Sequence, residues 1–308
     1  MSARNIIIDC DPGVDDAVAL FLAFSAPEIL NVRAITTVAG NVPLHLTQKN
    51  ARRICDLAGR RDIPIFAGCP TPYLRDAVSA EDFHGADGLE GIPAFEPDTP
   101  LQDQHAVSFL IETFRTATDP ITLVITGPMT NVAMAIRQAP DILDTIDQVV
   151  LMGGADTEGG NITPHAEYNV FADPHAAEIV FNCGARITAL SLDITHKLRT
   201  TDARIADIRN IRSPNTEHIA NLLQATNDFE KKMKNWGDGP LHDPSTIAYL
   251  LAPNLFSGKS VSIDVETEEG DRQGKTVLTE SAKGPLTWLT EADDTAIYQL
   301  LNERFANI

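Results

Sequence analysis

"IIIDCDPGVDDAVAL", Ile6 to Leu20, passes from an apolar run straight into four aspartates, Asp9, Asp11, Asp15 and Asp16. Isoleucines followed at once by charge read as a buried strand that ends at a site. Alternate strand side chains share a face, so Asp9 and Asp11 point one way and Cys10 the other. Pro12-Gly13 turns the chain, and Asp15 and Asp16 open the next helix. A single acid there suits an N-cap or the positive end of the helix dipole. Four acids need more. Two unit charges about 4 Å apart repel by about 4 kcal/mol at an effective dielectric near 20. Converging carboxylates must therefore bind a cation or take up protons.

Outward from this stretch, strand and helix signals alternate. Asn31–Val38, Pro64–Phe66, Ile121–Thr126 and Gln148–Gly154 read as strands, with helices over Pro43–Ala58, His105–Ala117 and Pro174–Asn182. A longer helix spans Asn215–Asn235, "VSIDVET" and "GKTVLTE" suggest a late hairpin, and the helix Asp293–Phe305 follows. The pattern predicts an α/β fold: an open, mostly parallel but mixed sheet with helices on both faces. No repeat, low-complexity tract or linker interrupts it, so a single domain over 1–308 is expected. Gly68–Asp103 and Asn227–Gly239 are expected to be mobile lids. In such sheets ligands gather beyond the carboxyl ends of the strands. Asp9–Asp16, Thr36–Asn41, Thr126–Asn131 and Met152–Gly154 all fall at those ends.

With 24 Lys and Arg against 43 Asp and Glu, the net charge is −19 and no basic cluster appears, which excludes a nucleic-acid partner. No apolar stretch reaches the roughly 18 residues of a membrane span. Cys10, Cys55, Cys69 and Cys183 form no CxxC pair and are expected to be reduced and buried. "MSARNIII" enters a strand without room for a signal peptide. The expectation is a cytoplasmic protein.

A second acidic element is "GPLHDPSTIAYLLA", where Asp243-Pro244 alone reads as a helix start and His242 as a loop residue. Joined to the first cluster it adds another oxygen donor, and an oxygen-rich set suits a hard ion such as calcium or magnesium.

Together these segments resemble the inosine-uridine-preferring nucleoside hydrolases. The signature DxDPGxDDxxA matches from Asp9 to Ala19. "TTVAGN" (Thr36–Asn41), "HGADGLEG" (His84–Gly91), "TGPMTN" (Thr126–Asn131), "LMGG" (Leu151–Gly154), "AEYN" (Ala166–Asn169) and "HDP" (His242–Pro244) follow in family order. The resemblance implies a Rossmann-like nucleoside hydrolase fold and Ca2+ held by Asp11, Asp16, Asp243 and the Thr126 carbonyl, with Asp9 in support behind them. Asp15, Asn41, Asn161, Glu167 and Asn169, with Met152, would bind the nucleoside's ribose. Asp11 would deprotonate the attacking water, and His242 or His84 would protonate the departing base. A relay through Glu230 is a third route. Thr226 and Glu230 stand where relatives carry Tyr or Gln, so the preferred base is open. The resemblance also implies a homo-oligomer, dimer or tetramer. Phe83, Phe229 and Trp236 are candidates for packing on the base, whereas His45, His105 and His196 read as solvated or structural. Two rivals stand beside this reading. One is a haloacid-dehalogenase-like phosphatase with Asp9 as nucleophile; the other is a nucleoside-binding protein without catalysis.

Overall fold

Three successive isoleucines are buried because the first strand, β1 (Arg4–Cys10), lies inside a sheet covered on both faces. Ile6 and Ile8 enter one core, with the helices Val14–Phe24, Leu44–Leu57 and Asp294–Phe305; Ile7 enters the other, with Ala106–Thr116, Thr130–Gln138 and Pro174–Phe181. Burial on both faces removes the polar alternation of a half-exposed strand, leaving a continuous apolar run. The computed structural model describes residues 3–77, 87–234, 237–281, 284 and 286–308.

The remaining strands are β2 (Leu30–Thr37), β3 (Ile65–Ala67), β4 (Leu101–Gln102), β5 (Ile121–Ile125), β6 (Ile146–Met152) and β7 (Ile187–Leu190). They are followed by β8 (Arg199–Thr200), β9 (Gly239–Pro240), β10 (Phe256–Val265), β11 (Thr276–Glu280) and β12 (Leu286–Ala292). Among the described residues, ten of the twelve strands form one sheet in the order β11-β10-β12-β7-β6-β5-β1-β2-β3-β4. From β4 to β12 every neighbouring pair is parallel; β10 is antiparallel to both β12 and β11. The sheet is therefore mixed and mostly parallel, flanked by helices.

The chain walks outward from β1 through β2, β3 and β4, then resumes on the other side of β1 with β5, β6 and β7. That reversal opens a crevice at the carboxyl ends of β1 and β5, where open α/β sheets bind ligands. Asp11, Asn41 and Thr126 stand around it, just past the ends of β1, β2 and β5.

Two elements refine the sequence expectation. The hairpin β10–β11 forms as expected, and β12, a short strand the pattern leaves unassigned, seats it on β7 through fully buried Trp288. The helix expected over Asn215–Asn235 is present as Thr216–Lys234, so the start of the segment expected as a lid, residues 227–234, is helical, and Asn227 is buried. The Asn227 side chain donates to the Thr200 carbonyl at 2.7 Å and accepts from Gly239 N–H at 2.7 Å. The antiparallel pair β8–β9 continues this tether and brings the following His242-Asp243 back to the sheet. All four cysteines are free; Cys10 and Cys55 are buried, but Cys69 and Cys183 are only partly so. Among the described residues no helix is long and apolar enough to cross a membrane.

Leu123, at the centre of β5, is fully buried. Leu123→Ala should lower the unfolding free energy by about 2–5 kcal/mol in a urea titration. Ile162→Ala, on an exposed loop position, should change it by less than about 0.5 kcal/mol. Equal effects would contradict this placement of the core.

Candidate active site

Asp11 leaves the end of β1 with both carboxylate oxygens buried. Oδ2 accepts the Asn41 backbone N–H at 2.7 Å, while Oδ1 has no hydrogen-bond partner among the described residues. Two glycines make room for it. A Cβ on Gly40 would lie 2.1 Å from Oδ2, and one on Gly127 would lie 2.4 Å from Oδ1. The glycines of "TTVAGN" and "TGPMTN" thus let the backbone close around one carboxylate. Asn41 also donates through its side-chain amide to the Asp11 carbonyl (3.1 Å) and to Asp16 Oδ2 (3.0 Å), tying both aspartates to the end of β2.

Asp16 is held on every side: Gly13 N–H donates to Oδ2 at 3.0 Å, and the Thr126 hydroxyl donates to Oδ1 at 2.7 Å. It therefore caps its own helix, as a first-turn acid can, while facing the crevice. Asp243 does not cap. It occupies the N-cap position of the helix Pro244–Leu251, but its backbone is already helical (φ −61°, ψ −39°) and its side chain accepts no capping bond. Instead it turns toward the amino-terminal cluster. Carboxylate oxygens of Asp15, Asp16 and Asp243 lie within 4.8 Å of one another. Asp15, expected to contact ribose, thus stands with the metal candidates, and its Oδ1 is buried without a partner among the described residues.

Desolvation dominates the electrostatics. Burial, then the charge of Asp16, pushes the Asp11 carboxyl well above its ordinary range. Burial, followed by the charges of Asp15, Asp16 and Asp11, does the same to Asp243. Burial and then Asp15 raise Asp16 to about 7. Asp9 is raised to about 7 by burial against two donors on Oδ1, the Thr36 hydroxyl at 2.5 Å and the Asn131 amide at 2.8 Å. Buried oxygens with no donor, in an all-carboxylate set, are what a hard divalent cation requires. The residues present fit such an ion.

Beyond β6 lies a second group. Glu167 caps the helix Tyr168–Ala172, accepting N–H groups of Asn169 (2.8 Å), Val170 (3.2 Å) and Gly154 (3.0 Å). Burial still raises it to about 7. Asn169 donates to the Thr126 carbonyl (2.8 Å) and to that of Met152 (3.2 Å), so the strand ends of β5 and β6 meet on one side chain. Asn161 accepts the Tyr168 N–H at 2.9 Å, fastening the loop after β6 beside them.

His242 is buried next to Asp243, and its Nδ1 shares a 2.9 Å hydrogen bond with the Thr195 hydroxyl. His84, Phe83 and Trp236 lie outside the described residues. Thr226 and Glu230 are buried one turn apart in the helix Thr216–Lys234.

Residues 6–306 match the family model described as inosine-uridine preferring nucleoside hydrolase. The chain belongs to that family. Pyrimidine-specific ribonucleoside hydrolase RihA of Photobacterium profundum is 42% identical over 315 residues, covering 99% of both chains. A plant nucleoside hydrolase, PpNRh1, superimposes with a TM-score of 0.93 at 31% identity, again over 99% of each chain. A purine-preferring ribonucleoside hydrolase from Gardnerella vaginalis gives 0.90 at 28% identity, with 98% of each chain covered. The fold is that of the nucleoside hydrolases, and the chain is an enzyme of this ribonucleoside-cleaving family.

Several residues of this nucleoside hydrolase site escape a reading of the sequence. Asn131 joins Asp9 to the Thr37 carbonyl (3.0 Å) and accepts the Cys69 N–H (2.8 Å). The motif "TGPMTN" contains Asn131, but its partners come from three distant segments. Asp173 caps the helix Pro174–Phe181 and accepts from both Tyr73 N–H and the Thr130 hydroxyl at 2.7 Å. His196, read as structural or solvated, is buried beside His242 with ring centroids 5.8 Å apart.

Without metal, Asp9 and Asp16 hold protons up to about pH 7 in the folded chain but release them near the ordinary 3.8 when unfolded. Their stabilisation is thus complete below the unfolded value and is lost as pH rises through the folded one. A divalent cation offsets that loss, and a ligand at 100 times its Kd adds about 2.7 kcal/mol. The gap in Tm between calcium-loaded and chelated protein should therefore widen from about pH 5 to about pH 8. No gap, or one that narrows, would refute ion binding at this cluster.

Proposed function

We propose that the protein is a calcium-dependent ribonucleoside N-ribohydrolase, releasing free base and ribose, with pyrimidine nucleosides ahead of purine ones. The observation that carries this reading is the meeting of Asp15, Asp16 and Asp243 carboxylates within 4.8 Å of one another, with buried Asp11 close enough for its charge to be felt by Asp243, and unsatisfied oxygens on Asp11 and Asp15. Full-length identity of 42% with a pyrimidine-specific enzyme supports the base preference. The whole chain, 1–308, is read as one hydrolase domain acting as a homo-oligomer, and four free thiols suit the cytoplasm.

Asp11, Asp16, Asp243 and the Thr126 carbonyl would hold the ion, and Asp15 adds a carboxylate beside them. When bound, calcium supplies the missing positive charge and acidifies a water next to the sugar. Asp11 takes the proton from the attacking water; its unbonded Oδ1 is the acceptor, while the Asn41 N–H keeps the carboxylate in place. Asp15, Asn41, Asn161, Glu167 and Asn169 grip ribose hydroxyls beside Met152. The clustered carboxylates favour the positive charge that develops on the sugar as the bond to the base breaks. Asp9 acts from behind, fixed by Thr36 and Asn131. His242 protonates the departing base, its Nδ1 engaged by Thr195. His84 is the other donor proposed for that step.

The phosphatase rival needs Asp9 as an exposed nucleophile. Asp9 is fully buried and engaged by two donors, which disfavours it.

Asp11→Asn should abolish turnover of uridine, by at least about 100-fold, with an unchanged circular dichroism spectrum, since a carboxamide cannot accept the proton. Near-native rates would remove Asp11 from the role of base. His242→Asn should slow uridine and inosine by about 100-fold, but nitrophenyl riboside by less than about tenfold, because nitrophenolate departs without a proton. Equal losses would reject the acid assignment. A panel of nucleosides assayed for free ribose, with and without chelator, should show uridine and cytidine cleaved fastest and all activity lost with the metal. Inosine as the best substrate would overturn the base preference, and activity that survives chelation would overturn the calcium requirement.

A further inference from the structure

The segment "SLDITH", Ser191 to His196, follows β7 and forms a single helical turn, Leu192–Thr195. Asp193 fastens it to the loop beyond β6. Its carboxylate accepts the N–H groups of Asp156 (2.7 Å), Thr157 (2.7 Å) and Glu158 (3.1 Å), and the Thr157 hydroxyl (2.6 Å). Burial alone would raise the Asp193 carboxyl, but these donors, led by the Thr157 hydroxyl, bring it below its ordinary range. The loop is fixed from the other side by the C-terminal hairpin. Thr276 accepts the Ala155 N–H at 3.0 Å and donates to its carbonyl at 2.5 Å, and Lys259 lies 3.6 Å from Asp156.

This rigid loop presents Glu158 to His196. Glu158 Oε2 lies 3.1 Å from His196 Nδ1, and a carboxylate oxygen only accepts, so Nδ1 carries the proton. The His196 side chain is almost wholly buried, and its ring is tilted by 55° against that of His242. Thr195, its immediate neighbour, bonds His242 Nδ1. The helical turn and its C-cap therefore give the His242 ring two neighbours, the Thr195 hydroxyl at its Nδ1 and the His196 ring, tilted, with its centroid 5.8 Å away.

We propose that Glu158 and His196 are positioning residues: a carboxylate–imidazole pair that holds the His242 ring in register with the departing base. The proposal rests on the reading of His242 as proton donor. Carboxylates fix imidazole rings in this way in metal and catalytic sites, where they select the tautomer and the ring orientation. Here the fixed imidazole orients a second imidazole. Displacing a catalytic group by about 1 Å costs about 100-fold in rate, so loosening the pair should be felt in the step that needs His242 and in no other.

The test compares Glu158→Gln, His196→Asn, the double variant and His242→Asn on uridine and on nitrophenyl riboside, each loaded with calcium. Each single change in the pair should lower kcat on uridine by about 10- to 100-fold with KM within about threefold, and leave nitrophenyl riboside within about twofold. The double variant should lose no more than the worse single, because both act through one ring. Equal losses on the two substrates, a change confined to KM, additive losses or wild-type rates would each overturn the pair's role. His242→Asn separates the two readings. If it slows uridine selectively while Glu158→Gln and His196→Asn do not, the pair alone fails. If it spares uridine, the acid reading fails and takes the pair with it. Glu158 is half-exposed, so Glu158→Gln tests the pair even where His196→Asn disturbs folding.

Discussion

Buried like charge is the constraint around which this molecule is organised. Asp9, Asp11, Asp16 and Asp243 are all nearly or wholly removed from solvent, with Asp15 at their side, and no Lys or Arg makes an ion pair with any of them among the described residues. A protein that wanted only helix caps here would leave such acids at the surface, where hydration is free. The cost of burying them is tolerable only if something of opposite charge enters. Backbone and side-chain N–H and O–H groups satisfy both oxygens of Asp16, Oδ1 of Asp9 and Oδ2 of Asp11, while among the described residues Oδ2 of Asp9, Oδ1 of Asp11 and Oδ1 of Asp15 go without a hydrogen bond.

The topology makes the concentration possible. Because β1 lies between β2 and β5, loops from both halves of the sheet converge where β1 ends. Asn41 then reaches Asp11 and Asp16 from the β2 side, and Thr126 reaches Asp16 from the β5 side. The last acid, Asp243, arrives from a much later part of the chain. Its delivery depends on β8–β9 and on Asn227, which together set where the segment before it runs. Glycines at 40 and 127 are needed for the close approach, since any Cβ there would occupy the space of the Asp11 carboxylate.

This division also explains which parts of the site the sequence makes legible. Local patterns survive in the sequence when the residues that cooperate lie within one strand and its following turn. The isoleucine run, the aspartates and the Pro-Gly break all lie in Ile6–Leu20, and so both the parallel sheet and the acidic crevice could be read from them. Asp243 was readable as a helix start, but not as a residue that forgoes capping, because only its backbone angles and the proximity of Asp15 distinguish the two. The long-range tethers left no local trace. Asn131, Asp173 and Asp193 are each short polar side chains that bond backbone far away in sequence, a role with no periodicity. β12 was silent for another reason: seven residues carrying one Trp and mixed polar neighbours resemble a loop until β7 and β10 flank them.

The same distinction separates the two halves of the proposed site. On the side proposed to hold the sugar, Asn41 bonds Asp11 and Asn169 bonds Thr126, at strand ends that the parallel sheet holds close together. Their geometry follows from the register of β1 with β2 and β5. On the side proposed to face the base, His242, Thr195, Thr226 and Glu230 come from a helical turn, a tethered return segment and a long helix packed on the helix Val14–Phe24. Nothing in the sheet register fixes their relation. Orientation there has to be supplied by side-chain contacts, Thr195 to His242 and Glu158 to His196, which cost only a residue or two to change. With the roles proposed above, a fold built this way would keep its chemistry on the side fixed by strand register and leave the choice of base to the side that sequence variation can remodel without disturbing the core.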